Sequence, residues 1–253
     1  MDIIKILQMS EFRSFYDLSL KIYKPVGKFK YHSAIALNFY NDQIYSVKFY
    51  FATFEPVDNT SILLPFFNES DLKYLYSVWD INNLDNKGLS YCIKYYPNKN
   101  QFKYQIHCKT QQINTFNNLQ FSDNNCRYGL GIENGETKRY INVKSTPDKI
   151  LLAKHFNHDD LVFFDELEYC EANDSAKVIT SICKSRKILT SFLARKITSK
   201  NVLNIITDFS KQSNLELLNI GLYKDLNLTS YYFYALDDID AFKRFKDEPT
   251  SKD

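Results

Sequence analysis

The sequence predicts an α+β protein: a ten-stranded antiparallel β-barrel built from repeated α-β-β units, with the helices around the outside. Three observations predict it. Pairs of β-forming runs joined by short turn sequences occur five times, and a helical pattern precedes four of the five pairs. The second run of four pairs carries a lysine at about the same place: Lys48, Lys103, Lys138 and Lys177. In the fifth pair Ser230 takes that position, and Tyr231, Tyr232 and Tyr234 surround it. Strand side chains alternate in direction, so residues recurring at one register of neighbouring strands project to one side of a shared sheet.

Taken in order, residues 10–23 open the pattern. Phe12, Phe15, Tyr16 and Leu20 recur about one helical turn apart behind Ser10, which suits a helix cap. The first hairpin follows at 32–40 and 43–54, turning at Asn41-Asp42. A second helix is expected from Ser70, placing Leu72, Leu75, Tyr76 and Trp79 on its apolar stripe. The second hairpin, 89–96 and 101–109, turns around Pro97-Asn98-Lys99-Asn100. A polar connection shows no helical pattern, and it leads to a third hairpin at 126–133 and 136–144. Its Asn134-Gly135 turn is the strongest short hairpin signal in the chain. Thr146-Pro147-Asp148 supplies a capping hydroxyl with proline in the first turn, and predicts a short helix through Phe156. The fourth hairpin is expected at 161–171 and 175–183. A long helical stretch follows, with Ile188, Leu189, Phe192 and Leu193 in one segment and Val202, Ile205, Ile206 and Phe209 in the next; Thr198-Ser199 can recap it between them. The last hairpin is read at 216–223 and 228–236, and the tail from about residue 240 is expected to be disordered. The whole chain, 1–253, is read as a single domain.

An isolated α-β-β unit cannot bury both its helix stripe and its sheet face, so five units need a common core. An open sheet with helices on one face and a closed barrel both meet that need. Alternation favours the barrel. One face reads Val47, Phe49, Phe51, Ile141 and Val143, suited to packing helices, and the other reads Lys48, Tyr50, Lys138, Tyr140 and Asn142. Tyrosine mixed with lysine, asparagine and small residues suits a wet internal chamber better than an exposed sheet face.

Composition agrees with a strand-rich chain. Aromatic residues make up 16% of the sequence, with 20 Phe and 19 Tyr against 6 Gly and 6 Pro, which favours half-buried strands over loops or disorder. The 32 Lys+Arg nearly balance the 30 Asp+Glu, so no whole-molecule field points to nucleic acid or an anionic membrane, and an anion site must be local. Cys92, Cys108, Cys126, Cys170 and Cys183 are odd in number with no C-x-x-C spacing, and read as buried reduced thiols. Charges at Asp2, Lys5, Glu11 and Arg13 interrupt the N-terminal apolar residues, and no run approaches the ~18 apolar residues of a membrane span. A cytoplasmic monomer is expected.

On this repeat pattern, with Lys48, Lys103, Lys138 and Lys177 on successive second strands and a closing repeat at 217–234, the chain resembles the αββα-barrel aromatic prenyltransferases. Within them the resemblance is nearest to the smaller bacterial and cyanobactin-modifying members. It covers residues 10–236. It implies a PT barrel whose chamber binds an isoprenoid diphosphate through lysine, arginine and tyrosine, and transfers the allylic group to an aromatic small molecule or peptide. The carried-over diphosphate contacts are Lys48, Tyr50, Lys103, Arg127, Lys138, Tyr140, Lys177 and Tyr232. Preorganised cations of this kind stabilise the charge that grows on the leaving diphosphate, and tyrosine faces shield an allylic cation. Arg127 shares strand parity with Gly129 and Gly131, which places a fork-like cation beside open volume.

Glu166 and Glu168 share strand parity with Val162 and Phe164, Asp165 sits among Phe163, Phe164 and Leu167, and a carboxylate in an aromatic chamber can accept the proton lost when an arene is alkylated; Glu166 is the candidate for that role. His155 and His158 lack a matching third ligand, so no metal site is assigned. Neither G-x-G-x-x-G nor G-x-x-x-x-G-K-[ST] occurs, and no D-D-x-x-D is present to hold magnesium against a diphosphate. No cofactor is therefore expected: magnesium is possible but not required, and lysines carry the neutralising charge. The competing expectation is a non-catalytic barrel that holds a small anionic ligand or a protein partner, and strand lysines also serve simply to protect exposed edges.

Overall fold

The computed structural model describes residues 2–22, 33–53, 60–79, 89–110, 116, 119–122, 127–133, 135–172, 175–180, 197, 199–225 and 227–234. Ten strands form one closed antiparallel barrel. In chain order they are β1 (Ser33–Tyr40), β2 (Gln43–Thr53), β3 (Leu89–Tyr96), β4 (Gln101–Thr110), β5 (Arg127–Glu133), β6 (Glu136–Val143), β7 (Leu167–Ala172), β8 (Ser175–Thr180), β9 (Glu216–Tyr223) and β10 (Leu228–Tyr234). Each strand pairs with its sequence neighbours, and β1 closes the ring on β10, with Ala36 opposite Tyr232 and Asn38 opposite Ser230. Closure leaves no sheet edge to protect.

Five hairpins supply the strands, and their turns are chemically suited to the task. Asn41 and Asp42 adopt φ of 46° and 61°, and Gly135 sits at φ 79°, the left-handed conformations that tight hairpin turns require. Helices α1 (Ile3–Leu7), α2 (Ser10–Ile22), α3 (Thr60–Leu63), α4 (Glu69–Val78), α5 (Thr146–Phe156) and α6 (Lys200–Ser213) lie in the connections between hairpins and before the first.

The outward strand residues make the core. Phe15 of α2 is fully buried, with its ring centroid 5.4 Å from Phe51, 6.2 Å from Phe49 and 5.9 Å from Tyr104. Phe209 of α6 meets Phe233 edge-on at 4.9 Å, and Phe156 of α5 packs on Tyr169 at 6.2 Å. A fully buried side chain of this size contributes about 1.5–3 kcal/mol, so the ring of helices stabilises the barrel from outside. The interior is thereby left for polar side chains. Among the described residues no helix is long and apolar enough to cross a membrane.

Several element boundaries differ from the sequence reading. Residues expected to start the fourth hairpin instead form a 3-10 turn at Asp159–Phe163, and β7 begins at Leu167. The run around Leu161 is apolar without alternation, and its buried pair, Leu161 and Phe164, is spaced three apart, the period of a 3-10 helix. Ser145, not Thr146, caps α5, its hydroxyl accepting from the Asp148 amide. Trp79 ends α4 in an extended conformation rather than continuing it. Helices α1 and α3, of five and four residues, are too short to show periodicity in sequence. Ser199 caps α6 as expected from the recapping signal, while the segment around 188–193 lies outside the described residues, as does the tail beyond 234.

Candidate active site

Inward residues of all ten strands surround one chamber. Its open part is a cavity of about 370 Å³ at the end where strands connect through helices, lined by Tyr50, His107, Tyr140, Lys177, Tyr232 and Tyr234 among others. The hairpin end is filled with charge. Lys48, Lys94 and Lys103 lie abreast on β2, β3 and β4, because Lys48 pairs with Lys94 and Lys94 with Lys103 in the strand register. Lys138 enters from β6 opposite Gly131, and Lys177 from β8 opposite Cys170 and Tyr223.

The four lysines singled out from sequence thus share the chamber, but in different surroundings. Lys177 is buried, donates to the Tyr232 hydroxyl at 2.9 Å, and lies 5.5 Å from the Tyr223 ring centroid and 5.7 Å from that of Tyr232. Lys48 is 5% exposed and has no hydrogen-bond partner among the described residues. Burial, together with Lys94, Lys177 and Lys138, pushes its pKa well below the ordinary lysine value. Lys103 and Lys138 turn instead towards Glu133.

Glu133, at the end of β5, was not singled out from sequence, nor was Lys94. Its carboxylate is 3% exposed and sits 3.0 Å from Lys94, 2.5 Å from Lys138 and 3.9 Å from Lys103, and it accepts from Gln105 as well. Burial works against its charge, but Lys94 and Lys138 outweigh it and hold the carboxyl at about 2. The sequence signal was present: Glu133 shares strand parity with Gly129 and Gly131. It was obscured because the residue adjoins the Asn134-Gly135 turn and reads as a solvated hairpin end.

The cavity wall is aromatic and neutral. Burial raises the Tyr50 and Tyr140 phenols well above their usual range and Tyr232 to about 12, so all three stay protonated as hydroxyl donors at neutral pH. Burial, followed by Lys138, Lys177 and Lys48, pushes His107 down to about 3, leaving its imidazole uncharged. Gly131 makes room for that wall: a Cβ there would stand 2.7 Å from His107 Nδ1 and 2.9 Å from the Tyr140 ring. His107 Nε2 and Asn219 Oδ1 are buried without a hydrogen-bond partner among the described residues, so the cavity presents two polar points that a ligand could satisfy.

Carboxylates stand at the mouth. Glu166 lines it, but it pairs with Lys144 at 3.3 Å. Two residues on, Glu168 points inward from β7 beside Asn142 and Ile179, lines the same cavity, and makes no ion pair with a described residue. Of Arg127, the β5 backbone is described and its side chain is not. Helix α5 ends at Phe156 with Asn157 in the left-handed conformation, so His155 and His158 do not share a helix face. Among the described residues no three of His, Cys, Asp and Glu gather as a metal site. Cys92, Cys108 and Cys170 are buried free thiols; Cys126 and Cys183 lie outside the described residues.

A closed ten-stranded antiparallel barrel of α-β-β repeats around a polar chamber is the fold of the αββα-barrel aromatic prenyltransferases. Solved structures with this fold include 5-dimethylallyltryptophan synthase from Streptomyces coelicolor, similar at a TM-score of 0.59 and 9% identity over 94% of this chain and 95% of that one. A 6-dimethylallyltryptophan synthase from Micromonospora olivasterospora, solved with DMASPP and Trp, matches at a TM-score of 0.52 and 8% identity over 83% and 82% of the two chains. A further 6-dimethylallyl tryptophan synthase matches at 0.50 and 7% identity over 83% and 81%. The likeness is one of fold. No protein-family model matches the sequence, and no curated protein matches it either.

Proposed function

We propose that the chain is an aromatic prenyltransferase, moving an allylic group from its diphosphate to an electron-rich aromatic acceptor, free or within a peptide. The observation that carries this reading is the juxtaposition in one chamber of buried lysines with a neutral, tyrosine-walled cavity. The solved structures that share the fold support it, one being a complex with DMASPP and Trp.

In this reading the diphosphate lies at the boundary between the two zones, against Lys177, Lys48 and the Tyr232 hydroxyl. Lys103, Lys138, Tyr50 and Tyr140 stand behind and beside it, and Arg127 belongs to the same strand face. The allylic C–O bond breaks with its electron pair leaving on the diphosphate, where fixed ammonium groups and phenol O–H donors stabilise the growing charge. The allylic cation is held by the faces of Tyr50, Tyr140 and Tyr232, worth ~1–2 kcal/mol each when desolvated. An arene carbon then bonds to the cation, and the proton released from that carbon goes to a carboxylate. Glu168 fits that last role better than Glu166, because Glu166 is paired with Lys144 while Glu168 lines the cavity with no ion pair to a described residue. Lysine charge lets ionisation proceed without a metal ion or other cofactor, in a cytoplasmic monomer.

The test is product formation followed by mass spectrometry, using dimethylallyl or geranyl diphosphate with a panel of indoles, phenols and Tyr- or Trp-containing peptides. Prenylated product that persists in EDTA supports the reading. Tight diphosphate binding with no turnover on any pair would replace it with a non-catalytic anion-binding barrel.

A further inference from the structure

The interior cations divide into two groups. Lys177 and Lys48 have no carboxylate partner among the described residues, whereas Lys94, Lys103 and Lys138 converge on Glu133. Lys94 reaches both carboxylate oxygens, at 3.0 and 3.1 Å, and Lys138 and Gln105 share Oε2. Three ammonium groups and an amide N–H₂ around one buried anion are the donor set of a phosphate site in which the chain supplies the anion. The arrangement has a physical cause. Three ammonium groups this close, Lys94 buried and Lys103 and Lys138 partly buried, would repel one another without a counter-charge, so the unliganded barrel needs Glu133. A ligand phosphate meets the same need, and the two therefore compete.

We propose that Glu133 is a tethered counter-anion that competes with the outer phosphate of a diphosphate for Lys94, Lys103 and Lys138, and thereby narrows the preference of the chamber for diphosphate over monophosphate. A monophosphate can be held by Lys177, Lys48 and the Tyr232 hydroxyl without disturbing Glu133. A second phosphate reaches the other three lysines only by displacing the carboxylate, which costs part of its binding energy. Glu133 is the last residue of β5, at the hairpin end of the chamber. The inference rests on the chamber being a phosphate site, but it requires no turnover.

The experiment is calorimetric titration of the full chain and of Glu133→Gln with inorganic diphosphate and inorganic phosphate, alongside thermal unfolding. In Glu133→Gln, diphosphate should bind tenfold or more tightly than in the wild type, while phosphate binding changes less than threefold. The unliganded variant should melt lower, and diphosphate should raise its melting temperature by more than it raises that of the wild type. Weaker diphosphate binding by the folded variant would mean that Glu133 organises the lysines, and would overturn the proposal. So would equal tightening of both anions, or no change in either. If the variant does not fold, lysine-side-chain NMR of the wild type decides: diphosphate but not phosphate should shift the ammonium signals of Lys94 and Lys138, and unshifted signals would overturn the proposal. These readouts separate the two readings. An absence of prenyl transfer alongside the expected binding pattern would remove the enzyme and leave the counter-anion in place.

Discussion

Lys177 donates to the Tyr232 hydroxyl at 2.9 Å across an intervening strand. The two residues lie on β8 and β10, and their side chains cross over Gly221 of β9, where an added Cβ would come within 3.3 Å of both. A cation and a phenol that would otherwise be separated by a third side chain are thus joined at the floor of the cavity.

Lys177 should therefore dominate anion binding. Replacing it with Met removes a charge-assisted contact in a buried site, and diphosphate binding should weaken by about 1.5–3 kcal/mol, roughly 10- to 150-fold. Lys99→Met, at the exposed Pro97–Lys99 turn, should leave affinity unchanged. Calorimetry on the two variants distinguishes them, and equal losses would point to a diffuse surface effect.

Glu168→Gln keeps the size of the side chain and removes its basicity. Product formation should fall 100-fold or more, while diphosphate affinity stays within threefold, because general-base catalysis of this kind contributes 10²–10⁴. Glu166→Gln, which breaks the Lys144 pair, should cost less than fivefold. A larger loss in Glu166→Gln than in Glu168→Gln would reverse the assignment.

Diphosphate binding should take up protons. The pKa of Lys48 lies well below the ordinary value in the free protein, and a phosphate beside it favours the charged form. Between the lowered value and the restored one, binding therefore draws a proton onto the amine, and affinity falls as pH rises through that window. The same shift acts on stability with the opposite slope. The unfolded chain binds the extra proton, so the unliganded barrel becomes more stable as pH rises through the window. Titrations in buffers of differing ionisation enthalpy should show the uptake in the wild type and not in Lys48→Met.

Gly131→Ala should be costly. Its Cβ would press on His107 and Tyr140, two rings held by the barrel wall, and overpacking of this kind costs about 1–3 kcal/mol. The variant should melt lower, by several degrees, and bind the aromatic acceptor less well. Unchanged stability would show that the two rings can move aside.

Much of the architecture was legible in the chain because it rests on local rules. Period-2 alternation in β2 and β6 separated Phe49 and Ile141 from Lys48 and Tyr140, and those residues do lie outside and inside the barrel. The turn residues Asn41-Asp42 and Asn134-Gly135 placed hairpins correctly, since only such residues enter left-handed backbone at little cost. Boundaries were misread where periods conflict: Leu161 to Phe164 has the composition of a strand, but its buried residues follow a 3-10 spacing.

The site was legible only in part, and the missing part is instructive. Lys138 and Lys177 could be set on the inner face by counting, but which carboxylate each lysine meets could not. Glu133 is 39 residues from Lys94 and 28 from Gln105, and looked like a polar turn flank. Glu166 and Glu168 share parity, and the position of Lys144 in space helps to separate them.

The sequence by itself determined the strands, the turns between them and the direction each side chain takes, because these depend on contacts within a few residues. Only the tertiary structure decided which directions converge. Closing ten strands sets the register that brings Lys48, Lys94 and Lys103 abreast, lets Lys177 reach Tyr232 over Gly221, and turns Glu133 inward onto three lysines. Electrostatic energy depends on the distance between charges in space, and that distance is not written in their separation along the chain.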